Sequence, residues 1–85
     1  MYDEINDILN RHDYYGTWGT DFHDARTFLF IWPDGAAAIQ WKDDKSDLTD
    51  TEKAFRNAMV NNGMNWGLAR SLDDVENYLV SLGAI

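Results

Sequence analysis

The side chains in this sequence that could do chemistry are mainly carboxylates. Twelve Asp and three Glu stand against seven Lys plus Arg in 85 residues, which gives a formal net charge of −8. Binding to nucleic acid depends on cations that displace counterions from phosphates, so this balance disfavours nucleic acid as a direct partner. An Asp carboxylate lies one methylene from the backbone, and folding therefore fixes its position. The composition predicts a rigid anionic surface for a basic partner, most commonly a nuclease or another nucleic-acid-handling protein.

Metal binding and catalysis are the alternatives that these side chains raise. Imidazole and carboxylate together bind divalent cations, and the sequence contains His12-Asp13 and His23-Asp24. Neighbouring residues rarely point the same way, so we interpret both pairs as solvated loop residues. The acidic segment that begins at Asp43 lacks the glycine and the acidic twelfth position of a calcium loop. No serine lies in a nucleophile elbow and no glycine-rich loop fits phosphate. We therefore expect no enzyme activity, no metal and no cofactor.

Length and composition predict one domain in a reducing compartment. The chain is 45% hydrophobic, which is enough for a modest core. It has no cysteine, so it forms neither a disulfide nor a thiolate metal site. No apolar run reaches the ~18 residues of a membrane span, and the acidic start of the chain is unlike a signal peptide. We expect residues 1–85 to form a single cytoplasmic domain, in the host cytoplasm if a phage encodes it, with no membrane contact.

Hydrophobic periodicity predicts a small α+β domain with the order α-β-β-β-α-α. Ile5, Ile8 and Leu9 have helical spacing, and aromatic and β-branched residues mark three later strands. Thr49 and Ser71 have the form of helix N-caps, the first in a capping box with Glu52. The predicted elements are a helix over about 2–12, strands at 15–22, 26–32 and 36–42, and helices that begin after the two caps. We expect a three-stranded antiparallel sheet with helices mainly on one face.

The hairpin between the second and third strands is the clearest turn in the sequence. In Trp32-Pro33-Asp34-Gly35, Pro fixes one turn dihedral and Gly is expected to adopt a positive φ. The strand before it is apolar on both faces, which one layer of helices cannot cover. Either a helix crosses the second face or part of that face is exposed as an interaction patch. The tryptophans expected as exposed anchors are Trp18, Trp41 or Trp66.

The aspartates divide into two groups by position. A carboxylate at a helix start stabilises the helix by ~0.3–1 kcal/mol through its interaction with the helix dipole. Aspartates at helix starts therefore have a structural role. The residues of that group are Asp3, Asp50, Asp73 and Asp74. Aspartates in loops and at strand ends have no such role, so a recognition surface competes there with plain solubility. The residues of the second group are Asp13, Asp21, Asp24, Asp34, Asp43 and Asp44.

Several segments together resemble the small acidic type II-A anti-CRISPR proteins. These segments are Ile5-Asn6-Asp7-Ile8 with Asp13-Tyr14, Pro33-Asp34-Gly35, Phe55-x-x-Ala58 with Asn62-Gly63-Met64-Asn65, and Leu72-Asp73-Asp74-Val75-Glu76-Asn77-Tyr78. Members of that family are phage-encoded, have an α-β-β-β-α-α fold and bind Cas9 as DNA mimics in the groove that reads the PAM duplex. The resemblance implies that Asp13, Asp34, Gly35, Asp73 and Asp74 bind the partner, and Asp43 and Asp44 extend the same acidic surface.

Other functions stay open at this point. An immunity protein or antitoxin would neutralise a nuclease toxin by the same electrostatics. An acidic phage or plasmid accessory protein would oligomerise through a sheet face. A small enzyme or ligand-binding domain would need a pocket lined by His12, His23 and carboxylates. The favoured prediction is a monomeric inhibitor that binds a basic nucleic-acid-binding protein and excludes DNA.

Overall fold

A computed structural model describes residues 2–20, 26–42 and 45–85 of the chain. Within them lie α1 (Tyr2–Arg11), β1 (Thr17–Gly19), β2 (Thr27–Trp32), β3 (Gly35–Trp41), α2 (Asp50–Asn61), β4 (Asn65–Ala69) and α3 (Leu72–Ser81). The small α+β domain predicted from periodicity is confirmed. In this part of the chain no helix has the length and apolar character needed to traverse a lipid bilayer.

The sheet has four strands in the order β1-β2-β3-β4. The pairs β1–β2 and β2–β3 are antiparallel, whereas β3 and β4 are parallel and are joined through α2. The prediction of a three-stranded antiparallel sheet is therefore wrong, because the sheet has a fourth strand, β4, that is parallel to β3. The sequence of β4, Asn65-Trp66-Gly67-Leu68-Ala69, contains a glycine and no β-branched residue, so its local pattern is that of a loop. Pairing with β3 makes this segment a strand.

The main core lies between one face of the sheet and the helices α1 and α3. Side chains that alternate along β2 and β3 point to this face, which is the period of two that a strand imposes. The fully or almost fully buried side chains of this core include Ile5, Leu9, Phe28, Phe30, Ile39, Val75 and Leu79. Gly67 brings α3 close to β4, because a Cβ at this position would lie 2.6 Å from the Tyr78 ring.

Helix α2 crosses the opposite face, over β3 and β4. Ala38 and Gln40 point to this face, and the Trp66 indole nitrogen donates a 2.9 Å hydrogen bond to the Gln40 side-chain oxygen. Arg56 of α2 lies 6.0 Å from the Trp66 ring centroid. The helices α1 and α3 thus share one face as expected, and α2 is the helix that crosses the second face. No described helix lies over the β1–β2 half of this face, where Thr27 is fully buried but Ile31, nearer the hairpin, is 48% exposed.

The predicted hairpin is present, with Trp32 paired to Gly35 across Pro33 and Asp34. Gly35 does not adopt a positive φ; among described glycines only Gly63 and Gly83 do so. The expectation for Gly35 is wrong because this residue already belongs to β3, at the fourth turn position that glycine favours after Pro at the second. A Cβ on Gly35 would lie 3.0 Å from the Trp32 ring, so close packing against the indole favours glycine here.

Both predicted helix caps are confirmed. The Thr49 hydroxyl accepts from the Glu52 backbone at 3.2 Å, and the Glu52 carboxylate accepts from the Thr49 backbone at 2.7 Å, which forms the capping box. The Ser71 hydroxyl accepts from the Asp74 backbone at 3.2 Å. These bonds satisfy amide groups that a helix start leaves without an intrahelical partner.

Candidate partner-binding surface

Most of the exposed aspartates form no ion pair within the described part of the chain, residues 2–20, 26–42 and 45–85. Asp74 accepts one hydrogen bond from a backbone amide, whereas the others use their side chains in no hydrogen bond there. These others are Asp3, Asp7, Asp13, Asp34, Asp47, Asp50 and Asp73. Their charges are therefore left available to a cation that a partner supplies.

Several described cations, in contrast, are bound to other groups of the domain itself. The Lys42 ammonium donates to the Glu52 carboxylate at 2.9 Å, and both side chains are largely buried. The Arg11 guanidinium donates to Glu76 at 3.2 Å, and the Arg70 guanidinium donates to the Ser46 carbonyl at 2.9 Å. These groups stabilise the fold and neutralise little of the aspartate surface.

The sheet has two ends of different electrostatic character. We call the end with Pro33 and Asp34 the turn end; β2 ends there, and β1, β3 and β4 begin there. We call the opposite end the cap end, because the caps of α2 and α3 follow the strands that finish there. The cations nearest to the strands, Arg26, Lys42 and Arg70, all lie at the cap end. None of these three can neutralise the turn end.

The predicted site residues divide between these two ends. Asp34 lies in the hairpin turn, and Asp13 lies at the same end, because the adjacent Tyr14 lines a depression together with Pro33. Asp73 and Asp74 begin α3 and lie at the cap end. The structure thus brings Asp13 and Asp34 into one region but does not bring the whole predicted set into one cluster. Asp43 and Asp44 lie outside the described residues, as do Asp21, His23 and Asp24.

Asp73 and Asp74 are neighbours in sequence, but their carboxylates have different surroundings. The Asp74 carboxylate accepts from the Arg70 backbone at 2.9 Å, so it is occupied in holding the start of α3. Asp73 is exposed and lines an open groove between α1 and α3 together with Glu4, Asp7 and Arg11. Sequence reasoning missed Glu4 and Asp7 as neighbours of Asp73. The helical spacing of these two residues places them near one side of α1, but no sequence signal places α3 beside that side.

Tyr14 fixes the shape of the turn end. Its hydroxyl donates to the carbonyls of Thr17 at 2.8 Å and Ile31 at 2.9 Å, which ties the α1–β1 connection to both strands. Partial burial raises the pKa of the Tyr14 phenol above its usual range, so the hydroxyl stays protonated and a donor at neutral pH. Asp13 itself has a φ of 53°, in the left-handed region that Asp tolerates better than most residues. Its carboxylate is thus presented from an ordered turn.

The exposed apolar residues are not the tryptophans expected from the sequence. Trp41 is buried and belongs to the core, so that expectation is wrong. Trp18 is half-buried and stacks on Phe30 with 5.8 Å between ring centroids. Exposed apolar side chains at the turn end include Tyr15, 83% exposed, and Ile31. The sequence alone shows that β2 is apolar on both faces. Which half of the second sheet face α2 covers depends on the position of β4, because α2 joins β3 to β4.

The histidine in the described chain does not pair with its neighbouring aspartate. The His12 ring nitrogen lies 2.7 Å from the Glu76 carboxylate, which also accepts from Arg11. This arrangement links the end of α1 to α3. Within the described ranges, no three or more His, Asp or Glu side chains are grouped so that they could hold a metal ion.

Comparison of this chain with protein-family models, curated proteins and solved structures gives no match. The resemblance to anti-CRISPR proteins therefore stays a prediction.

Proposed function

We propose that this protein is an acidic inhibitor that binds the basic nucleic-acid-binding groove of a nuclease effector, such as the PAM-reading site of a Cas9-like enzyme, and excludes DNA. The observation that supports the proposal best is the set of exposed aspartates that form no ion pair among the described residues, while Arg11, Lys42 and Arg70 are bound to other groups of the domain. A surface of this kind attracts a cationic partner and repels nucleic acid.

The mechanism is competition between carboxylates and DNA for the same cations. Arginines that read a PAM bind guanine edges in the major groove, and neighbouring cations hold phosphates. A carboxylate can accept two parallel hydrogen bonds from one guanidinium, so an aspartate replaces a DNA acceptor geometrically as well as electrostatically. Asp34 in a tight turn and Asp73 in the first turn of a helix are already ordered, which reduces the entropy lost on binding.

The spread of these aspartates favours an extended contact. Asp34 and Asp73 lie at opposite ends of the sheet, so a partner that contacts both must span the length of the strands, about 20 Å for the seven residues of β3 at ~3.3 Å per residue. A groove that holds a DNA duplex has this elongated form. The immunity-protein alternative uses the same surface against a nuclease toxin, and only the identity of the inhibited enzyme separates the two.

DNA-cleavage assays test this proposal. The wild-type chain is added to a guide-loaded type II-A Cas9 and, in a second arm, to a bacterial nuclease toxin. Inhibition of either enzyme is expected, and it should be lost in the Asp34→Asn, Asp73→Asn double variant. Asp47→Asn is the matched control, because Asp47 is also exposed and forms no ion pair among the described residues but is not one of the predicted site residues. Full inhibition by a double variant with a native circular dichroism spectrum would refute the proposed role of these carboxylates.

A further inference from the structure

The turn end has an apolar depression that the fold does not fill. The side chains of Tyr14, Tyr15, Thr17, Ile31, Trp32 and Pro33 line it, and no described Lys, Arg, Asp or Glu is among the lining residues. Tyr15 and Ile31 are the most exposed apolar side chains there. Among the described residues, no helix lies over this half of the sheet face. A depression with exposed apolar side chains is typical of an interaction surface.

Two carboxylates lie beside this depression. Asp34 directly follows the lining residue Pro33, and Asp13 directly precedes the lining residue Tyr14. Both aspartates are exposed, and neither forms an ion pair or a side-chain hydrogen bond in the described chain. The nearest cation in sequence, Arg11, is bound to Glu76. We call the apolar lining residues Tyr15, Ile31 and Pro33 the floor of the depression, and Asp13 and Asp34 its rim. The depression therefore combines an apolar floor with an anionic rim that no described cation pairs with.

This combination determines the chemistry of the occupant. A second copy of this chain would bring its own Asp13 and Asp34, and its net charge of −8, against the same rim. Like charges so placed oppose self-association. A segment with an apolar side chain between lysines or arginines satisfies both the floor and the rim.

We propose that the turn-end depression is the anchor point for a partner segment in which one aliphatic or aromatic side chain is flanked by Lys or Arg. The apolar side chain contacts Tyr15, Ile31 and Pro33, and the flanking cations pair with Asp13 and Asp34. This inference rests on the proposed function, because it names the part of the surface and the partner chemistry that give the complex its anchor. Burial of an apolar group at the centre, with charges at the rim, is the usual anatomy of a binding hot spot.

A titration followed by two-dimensional ¹H–¹⁵N NMR of the intact chain tests the proposal. The probe is the capped peptide Arg-Lys-Leu-Lys-Arg, and the matched probe is Arg-Lys-Ser-Lys-Arg, which has the same charge without the apolar group. Saturable shifts are expected at the backbone amides of Tyr15, Ile31 and Asp34. The serine peptide should bind about fivefold more weakly, since it lacks the apolar area that the depression removes from water.

Two variants separate the floor from the rim. Ile31→Thr keeps a β-branched residue in β2 and should weaken the leucine peptide about threefold while leaving the serine peptide unchanged. Asp34→Asn should weaken both peptides about threefold, as expected for an exposed ion pair. Val60→Thr is the control, because Val60 is 57% exposed on α2 but does not line the depression. It should leave the affinity for both peptides unchanged.

The remaining outcomes overturn the proposal. Shifts centred on Glu4, Asp7 and Asp73, with equal affinity for the two peptides, would mean that the peptides bind the α1–α3 groove by charge alone. That result would overturn this inference but would leave the proposed function standing. Self-association through Ile31, seen as concentration-dependent shifts without peptide, would also overturn it. Nuclease inhibition is read separately: if the leucine peptide binds the depression but no nuclease is inhibited, the proposed function fails instead.

Discussion

Asp34 and Asp73 lie at opposite ends of the four-stranded sheet. Asp34 is in the turn that joins β2 to β3, and Asp73 is in the first turn of α3, beyond the end of β4. The strand β3 runs between the two ends over seven residues, or about 20 Å at ~3.3 Å per residue. That separation exceeds the ~8 Å over which salt screens exposed charges under physiological conditions. The two carboxylates are therefore electrostatically independent of each other.

The first prediction is that Asp34→Asn and Asp73→Asn have additive effects on partner binding. Each substitution keeps the shape of the side chain and removes its charge, and loss of a carboxylate buried against a partner cation costs ~2–5 kcal/mol. Distant sites without shared contacts add within ~0.5 kcal/mol. Dissociation constants of the wild type, both single variants and the double variant give the coupling energy. A larger coupling would show that both residues contact the same part of the partner.

A second prediction concerns the hydrogen bond that the Trp66 indole donates to the Gln40 side chain. Gln40 is almost fully buried, with 1% of its surface exposed. Its donor and acceptor lie between the sheet and α2, where water cannot easily replace a lost partner. We expect a double-mutant cycle with Trp66→Phe and Gln40→Met to give a coupling energy of about 1–2 kcal/mol in the free energy of unfolding. Urea unfolding followed by circular dichroism measures it.

The matched control for that cycle is the bond from Trp18 to Asn6, which has the same 2.9 Å length. Asn6 is exposed, so water can replace the lost donor. The cycle with Trp18→Phe and Asn6→Ala should give a coupling below about 0.5 kcal/mol. Equal couplings in the two cycles would contradict the inference that α2 shields Gln40 from water.

The third prediction tests the close approach of α3 to β4. Gly67→Ala should reduce the free energy of unfolding by about 1–3 kcal/mol, because the added Cβ would lie 2.6 Å from the Tyr78 ring. Gly19→Ala is the control: a Cβ there meets nothing within 4 Å, and its φ is not positive. Thermal unfolding of both variants gives the comparison. A neutral Gly67→Ala would mean that α3 does not pack as closely as the structure shows.

The fourth prediction is a pH dependence at Glu52. Hydrogen bonds from the Thr49 backbone and then Lys42 hold the pKa of the Glu52 carboxyl below its ordinary value of 4.5. A carboxyl with a lowered folded-state pKa stabilises the fold above its unfolded pKa, and this contribution is lost as the pH falls through the folded pKa. Glu52→Gln should therefore lower the unfolding free energy by about 1 kcal/mol at pH 7, because it removes a charged acceptor. Below pH 4.5 the difference from wild type should shrink.

Urea unfolding of wild type and Glu52→Gln over a series of pH values measures that difference. Ser71→Ala serves as the control, since it removes a neutral cap hydroxyl that does not contact Glu52 and should cost about 1 kcal/mol at every pH. If the effect of Glu52→Gln were constant from neutral to acid pH, the charge of Glu52 would not be the stabilising feature.

Features of the fold that depend on neighbouring residues could be predicted from the sequence. The cap at Thr49 needs only Glu52 three residues later, and the hairpin needs only its turn residues and two flanking strands. By contrast, β4 is a strand because β3 lies beside it, and no residue within 65–69 signals that pairing. The positive φ expected for Gly35 is wrong because this residue is the fourth of the turn and the first of β3, which the turn sequence alone does not decide.

The omission of β4 also explains why the candidate site could be predicted only in part. Single residues such as Asp13 and Asp34 stand out because they lie outside helix starts. Their positions relative to Asp73 depend on the direction of β4, which carries the chain from the turn end to the cap end before α3 begins. Without that strand, the sequence gives no basis for placing Asp73 beside Glu4 and Asp7, or for leaving Ile31 uncovered.

Displacement of a fluorescent PAM-containing duplex from guide-loaded type II-A Cas9 tests most directly whether exposed aspartates bind the DNA-reading cations. We predict that the wild-type chain displaces the duplex at low salt, that its affinity falls as salt increases, and that Asp13→Asn with Asp34→Asn makes this fall less steep. Displacement that is equally strong at every salt concentration, with the same affinity in the double variant, would contradict the account.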